Sequence, residues 1–179
     1  MRMMRITIVA LLVSASACGG NDGPTHWSKQ PLQTVNDTFG GAAYTIQLPK
    51  GMRKSSVESA YNVEYAYHAN VGDEDYVFAP NVSVGKTDKK HTLAEALKGE
   101  SSVKAPTDVL FQEETATGFV YAIQNDAKPD KQDYLIRGET FLGDGALTCS
   151  ARLYPMNKKG TAKEHIPLVA KMCTSLKPK

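Results

Sequence analysis

The sequence has little of what catalysis and metal binding most often use. Only 4 histidines are present, His26, His68, His91 and His165. No two of them stand at i, i+2 or i, i+4, so no imidazole pair is set up on a strand or helix to grip a metal. No G-x-S-x-G elbow occurs, which argues against an α/β-hydrolase. Charge of one sign is also missing: 21 basic residues face 19 acidic ones. A nucleic-acid binder needs clustered positive charge to displace counterions, and that surplus is absent. Long apolar runs are missing too. The run Ile6–Val13 (ITIVALLV) is far shorter than the ~20 residues a membrane-spanning helix needs. No internal repeat and no low-complexity tract is seen.

What is present begins at the first residue. Arg2 and Arg5 form a basic end, Ile6–Val13 an apolar middle, and Ser14, Ala15, Ser16 and Ala17 a run of small residues before Cys18. That order reads as a secretion signal. The small-small-small-Cys junction resembles the lipobox of bacterial prolipoproteins, with Ala15 where leucine is commonest. The resemblance implies that the peptide is cut before Cys18, and that Cys18 carries diacylglycerol on its thiol and an acyl chain such as palmitate on its new amino end. Gly19 follows, where Asp would favour the inner membrane, so the resemblance leans toward the outer membrane. Two or more acyl chains anchor durably, because each buried CH₂ contributes ~0.8 kcal/mol. The alternative is an ordinary leader cut nearby, with Cys18 free. Loss of residues 1–17 removes Arg2 and Arg5 and no acid, and leaves 19 basic against 19 acidic residues.

The chain has 3 cysteines. With Cys18 given to lipid, Cys149 and Cys173 remain, an even pair in an exported protein, and a structural disulfide is the default expectation. A redox pair or half a metal site are the other readings. The first more often shows C-x-x-C spacing; the second lacks a histidine at ligand spacing.

Residues 19–25 (GGNDGPT) read as a polar tether, with Trp27 and Pro31 where the chain joins a domain. The organisation is therefore 1–17 leader, 18–33 lipidated Cys and tether, and 34–176 one domain of a size that buries a sizeable core. Strands are expected at Val35–Phe39, Ala43–Leu48, Ala60–His68, Tyr76–Val84 (with Pro80 at an edge, bulge or break), Val109–Glu114, Phe119–Gln124, Tyr134–Phe141 and Ala146–Tyr154. Gly40-Gly41, Gly118 and Gly143-Asp144-Gly145 supply turns. Two helices are expected. One opens on the capping box Thr92–Glu95, buries Leu93, Ala96 and Leu97, and ends near Gly99. The other opens on Thr161–Glu164 and buries Ile166, Val169, Ala170 and Cys173. A disulfide would then tie the C-terminal helix to the strand that carries Cys149.

Three stretches resemble the Mog1/PsbP-like group of small α+β domains: Tyr44–Gly51 (YTIQLPKG), Val82–Val84 leading into the Thr92–Leu97 helix, and the late strand and helix ending at Met172–Leu176 (MCTSL). The resemblance covers roughly residues 34–176. It implies an α+β fold, an antiparallel sheet of about six to seven strands packed with two helices in an α/β/α sandwich. It carries no shared catalytic residues, and the fold hosts unrelated roles.

Other constellations bear on chemistry. Val84-Gly85-Lys86-Thr87 mimics the end of a phosphate-binding loop, but Pro80 stands where the first glycine belongs. Asp73-Glu74-Asp75 lacks the alternating ligands and glycine of a calcium loop. Asp126, Asp130 and Asp133 are scattered, as solvated loop carboxylates are. Tyr61, Tyr65 and Tyr67 line a ligand surface or pack across strands. The expectation is a membrane-anchored, non-enzymatic envelope lipoprotein that binds a protein or small ligand, with no cofactor, metal or nucleic acid. The alternative is an envelope hydrolase using scattered carboxylates, for which a cleft bringing His68, Asp73, Glu74 or Asp75 within hydrogen-bond reach of another polar group would be the sign.

Overall fold

The computed structural model describes residues 27–57, 59–67, 79–101, 108–124, 133–153 and 162–179. A short 3-10 turn at Trp27–Lys29 leads into β1 (Leu32–Phe39) and β2 (Ala42–Pro49). They pair antiparallel, with Val35 opposite Ile46. Gly40 and Gly41 both have positive φ, +54° and +77°. That is the conformation a two-residue hairpin turn demands at both central positions.

The remaining elements are β3 (Arg53–Lys54), β4 (Asn62–Ala66), β5 (Asn81–Thr87), α1 (Leu93–Ser101), β6 (Asp108–Thr115), β7 (Gly118–Gln124), β8 (Tyr134–Leu142), β9 (Gly145–Leu153), α2 (Ile166–Thr174) and β10 (Lys177–Pro178). Seven strands form one antiparallel sheet in the order β3-β4-β5-β9-β8-β7-β6. The β1–β2 hairpin stays out of it and makes a second sheet with β10. The α+β class, the two helices and the large antiparallel sheet are as the sequence led one to expect; the second sheet was not foreseen.

Strand β7 shows why the layers stack as they do. All of its residues but Gln124 are buried. Val120 and Ala122 face the main core with Ile166, Val169, Ala170 and Met172 of α2 and with Tyr44, Ile46 and Leu48 of the small sheet. Phe119, Tyr121 and Ile123 face the other way, onto Leu93, Ala96 and Leu97 of α1. A strand buried on both faces reads as a continuous apolar run rather than an alternating one. The large sheet is thus covered by α2 and the hairpin on one side and by α1 on the other. Trp27 lies fully inside the main core, its ring edge-on to His165 at 5.0 Å. Packed residues therefore extend on both sides of 34–176, from Trp27 to Pro178.

Cys149 on β9 and Cys173 on α2 form a disulfide, with Cα atoms 5.4 Å apart. It staples helix to strand as expected. Closing a loop of that size stabilises by about 3–4 kcal/mol in the chain-entropy view.

Three local expectations are corrected. The Thr161–Glu164 box does not cap α2: Ala162–His165 is a 3-10 turn, and the N-cap is His165, which makes no side-chain cap bond. Pro167 fixes that start, because a first-turn proline gives up an N–H that has no helical partner anyway. Helix α1 runs through Gly99 to Ser101, its last turn held by Glu100. The tyrosine strand begins at Asn62, so Tyr61 lies before it and is 85% exposed. As the missing glycine implied, Val84–Thr87 is no phosphate loop: it lies within β5, paired along its length with β9, and Lys86 Nζ donates to the Gly40 carbonyl at 3.2 Å. No described helix is long and apolar enough to cross a membrane.

Candidate functional site

Helix α1 rests on the outer face of the large sheet through two side-chain pairs, one near each end: His91 with Glu139 and Glu100 with Arg137. Its N-terminus is the expected capping box. The Glu95 N–H donates to Thr92 Oγ1 at 3.2 Å, and the Thr92 N–H donates to Glu95 Oε2 at 2.8 Å. The bonds that the Thr92 N–H and then the Thr92 hydroxyl donate to it hold the Glu95 carboxyl below its ordinary range. Just before the box, His91 is clamped onto β8. Its Nδ1 lies 2.7 Å from Glu139 Oε1, and its backbone N–H donates to Glu139 Oε2 at 3.1 Å. At the other end of α1, the carboxylate of Glu100 is almost fully buried and accepts from Arg137 Nη1 and, at 3.0 Å, from the Tyr121 hydroxyl. Burial, and then the charge of Glu100, pushes the Tyr121 hydroxyl pKa up. Tyr121 is therefore a donor here and not a base.

Arg137 and Glu139 are two residues apart on β8, so both point to the α1 side of the sheet. Between them, the helix and β9 lies a cleft of about 590 Å³. Its walls include Glu95, Glu100, Phe119, Arg137, Thr148 and Ser150. Glu100 is already bonded to Arg137 and the Tyr121 hydroxyl, and Glu139 to the ring and the backbone N–H of His91. Arg137 differs: its side chain is half-exposed, and it bonds Glu100 through Nη1 and the Tyr121 hydroxyl beside it. This arrangement presents a planar, oriented hydrogen-bond fork to whatever enters the cleft.

The residues that the sequence singled out fall elsewhere. Cys18, His26, His68, Asp73, Glu74, Asp75, Asp126 and Asp130 lie outside the described residues. Asp133 is paired with Arg152 Nε at 3.2 Å. His91 is half-buried and clamped to Glu139. His165 packs on Trp27. Tyr65 is buried and hydrogen-bonded, and the Tyr67 hydroxyl donates to the Lys50 carbonyl at 3.0 Å. These are packing roles. Among the described residues no group of three His, Cys, Asp or Glu is placed to hold a metal ion.

Glu100, Arg137, Tyr121 and Glu139 went unread in the sequence. One signal was available. Glu100 continues the apolar stripe of Leu93, Ala96 and Leu97 at helical spacing, and a carboxylate in that position needs a buried partner.

No protein-family model matches the chain, and no curated protein matches it by sequence. Among solved structures, the chain is similar to the solution structure of cyanobacterial PsbP (CyanoP) from Synechocystis sp. PCC 6803. The identity is 15% and the TM-score 0.48, over 89% of this chain and 96% of that one. No residue role passes from that protein to this chain.

Proposed function

We propose that this protein is an envelope lipoprotein, held to a membrane by lipid on Cys18, whose domain binds a partner or small ligand and does not transform it. Residues 1–17 are the leader and the segment from Cys18 is the tether. The outer membrane is the expected address, on the strength of Gly19. The observation that carries this reading is the Cys149–Cys173 disulfide. Such bonds persist in oxidising compartments outside the cytosol, where a leader of this type would deliver the chain. The pairing also leaves Cys18 as the only other cysteine of the sequence, with no partner in its own chain. A binding role is supported by the cleft beside α1. Its two most buried carboxylates are occupied by Arg137, Tyr121 and His91 rather than poised opposite one another, as an acid–base pair across a scissile bond would be.

The test is fractionation of cells that express the full chain. Wild type should sediment with membranes and take up a labelled fatty acid. Cys18→Ser should do neither. Membrane association that survives Cys18→Ser would refute the anchor.

A further inference from the structure

The walls of the α1 cleft differ in what they offer a ligand. Arg137, Ser150 and Ser83 are successive cross-strand partners on β8, β9 and β5, with Tyr121 on the other side of Arg137. Cross-strand partners share a face, so they form one row across the sheet floor. In the neighbouring row Glu139 is followed by Thr148 and Gly85. A Cβ at Gly85 would meet Thr148 Oγ1 at 2.8 Å and the Tyr61 carbonyl at 3.0 Å, so glycine keeps that part of the floor flat. Beside Arg137 the floor holds the hydroxyls of Ser150 and Ser83, with Glu64 next in the row. Glu139, bonded to His91, stands one row away.

From this asymmetry we propose that the cleft binds a ligand that presents a free carboxylate, received by the guanidinium of Arg137 and the hydroxyl of Ser150. This rests on the reading of the domain as a binding module and names its ligand class. Glu100 acts as a positioning residue. It is the buried carboxylate that, with the Tyr121 hydroxyl, holds the inner side of the guanidinium, and it leaves the exposed side of the fork for a planar anion. A guanidinium fork fits carboxylate or phosphate equally well in shape. Charge decides between them: Glu95, Glu100 and Glu139 all line the same cleft. Their field opposes a dianion more than a monoanion, so a carboxylate is favoured over a phosphate ester. A peptide C-terminus and a uronic acid both present that group.

The test is calorimetric titration of the full-length lipoprotein in detergent micelles. The probes are N-acetyl-Ala-Ala, its C-terminal carboxamide, and a galacturonic-acid oligomer. The free-acid peptide should bind saturably, and the carboxamide at least about tenfold more weakly, as expected for loss of a charge-assisted bidentate contact. Arg137→Lys keeps the charge and loses the fork; it should weaken binding by about tenfold. Ser150→Ala leaves the Glu100–Arg137 pair intact. It should weaken binding by about threefold to tenfold with no change in melting temperature, which separates ligand contact from folding. Binding of the galacturonate alone, weakened by Arg137→Lys, would keep the carboxylate and assign it to a sugar. Equal binding of acid and carboxamide, saturation by none of the probes, or full affinity in both variants would overturn the proposal. Membrane release by Cys18→Ser is read separately, so a failed titration removes the carboxylate and not the anchored module.

Discussion

The hydroxyls of Tyr44 and Tyr65 meet at 2.8 Å inside the core, where the two sheets face each other. Tyr44 belongs to β2 of the small sheet and Tyr65 to β4 of the large one. Tyr65 also donates to Asp37 Oδ2 on β1 at 2.8 Å, and Asp37 takes a bond from Lys54 Nζ at 3.0 Å. A hydrogen-bonded chain thus runs from the core to the surface and joins both sheets. Burial, and then its bonding partners, pushes the Tyr65 hydroxyl far above its ordinary pKa, so it stays a donor.

Tyr65→Phe should cost about 1–3 kcal/mol, because it leaves the Tyr44 hydroxyl and Asp37 short of a partner. Urea titration followed by emission of Trp27, the one tryptophan, measures it. A midpoint equal to wild type would show that the chain between the sheets adds nothing.

Asp37 gives the fold an acid-sensitive contribution. Burial raises its carboxyl pKa, but bonds from Lys54, the Thr38 N–H and Tyr65 outweigh that and set it below the ordinary 3.8. The unfolded chain therefore takes up the proton first. The contribution is complete above the unfolded value and fades as pH falls through the lower folded value. Wild type should lose stability between about pH 5 and pH 2 more steeply than Asp37→Asn. Parallel profiles would assign the acid response to other groups.

Removing the disulfide should lower stability without abolishing the fold. The paired variant Cys149→Ala, Cys173→Ala should lose about 3–4 kcal/mol by the chain-entropy relation, with some further loss from the vacated core. Non-reducing peptide mass analysis of wild type should recover the linked pair; free thiols at both positions would contradict the structure.

The Glu100–Arg137 pair should be asymmetric. Arg137→Ala strands a buried carboxylate with Tyr121 as its remaining described partner, whereas Glu100→Gln leaves a half-exposed guanidinium that water can serve. The first should be the more destabilising by about 1–2 kcal/mol, which thermal melts at neutral pH would resolve. Equal losses would mean that Glu100 is not effectively desolvated.

What the sequence made legible was local or covalent. The Gly40-Gly41 turn, the Thr92–Glu95 box and the Ile166–Cys173 stripe each depend on residues within a turn or two. The Cys149–Cys173 pair followed from counting. The division into two sheets was not legible, because alternation in β1 and β2 says which residues point inward and not which sheet they join. The cleft was hidden for the same reason. Glu100 and Arg137 are 37 positions apart, and Glu139 is 48 from His91. Only the register of β8 beneath α1 brings them together. His91 in particular gave no sign of its clamp, since its own neighbours are basic.

Strand β10 has a consequence for how the protein is made. Residues 177 and 178 pair with Thr45 and Tyr44, the Lys179 N–H donates to the Ala43 carbonyl, and Cys173 closes the staple from just upstream. The small sheet cannot be completed, nor the core sealed, before residues 173–178 are available. A chain emerging from its amino end would therefore stay incompletely closed until that segment has emerged. A chain halted short of residue 173 would expose Ile46, Leu48 and Val169 to proteolysis rather than persist as a partial domain.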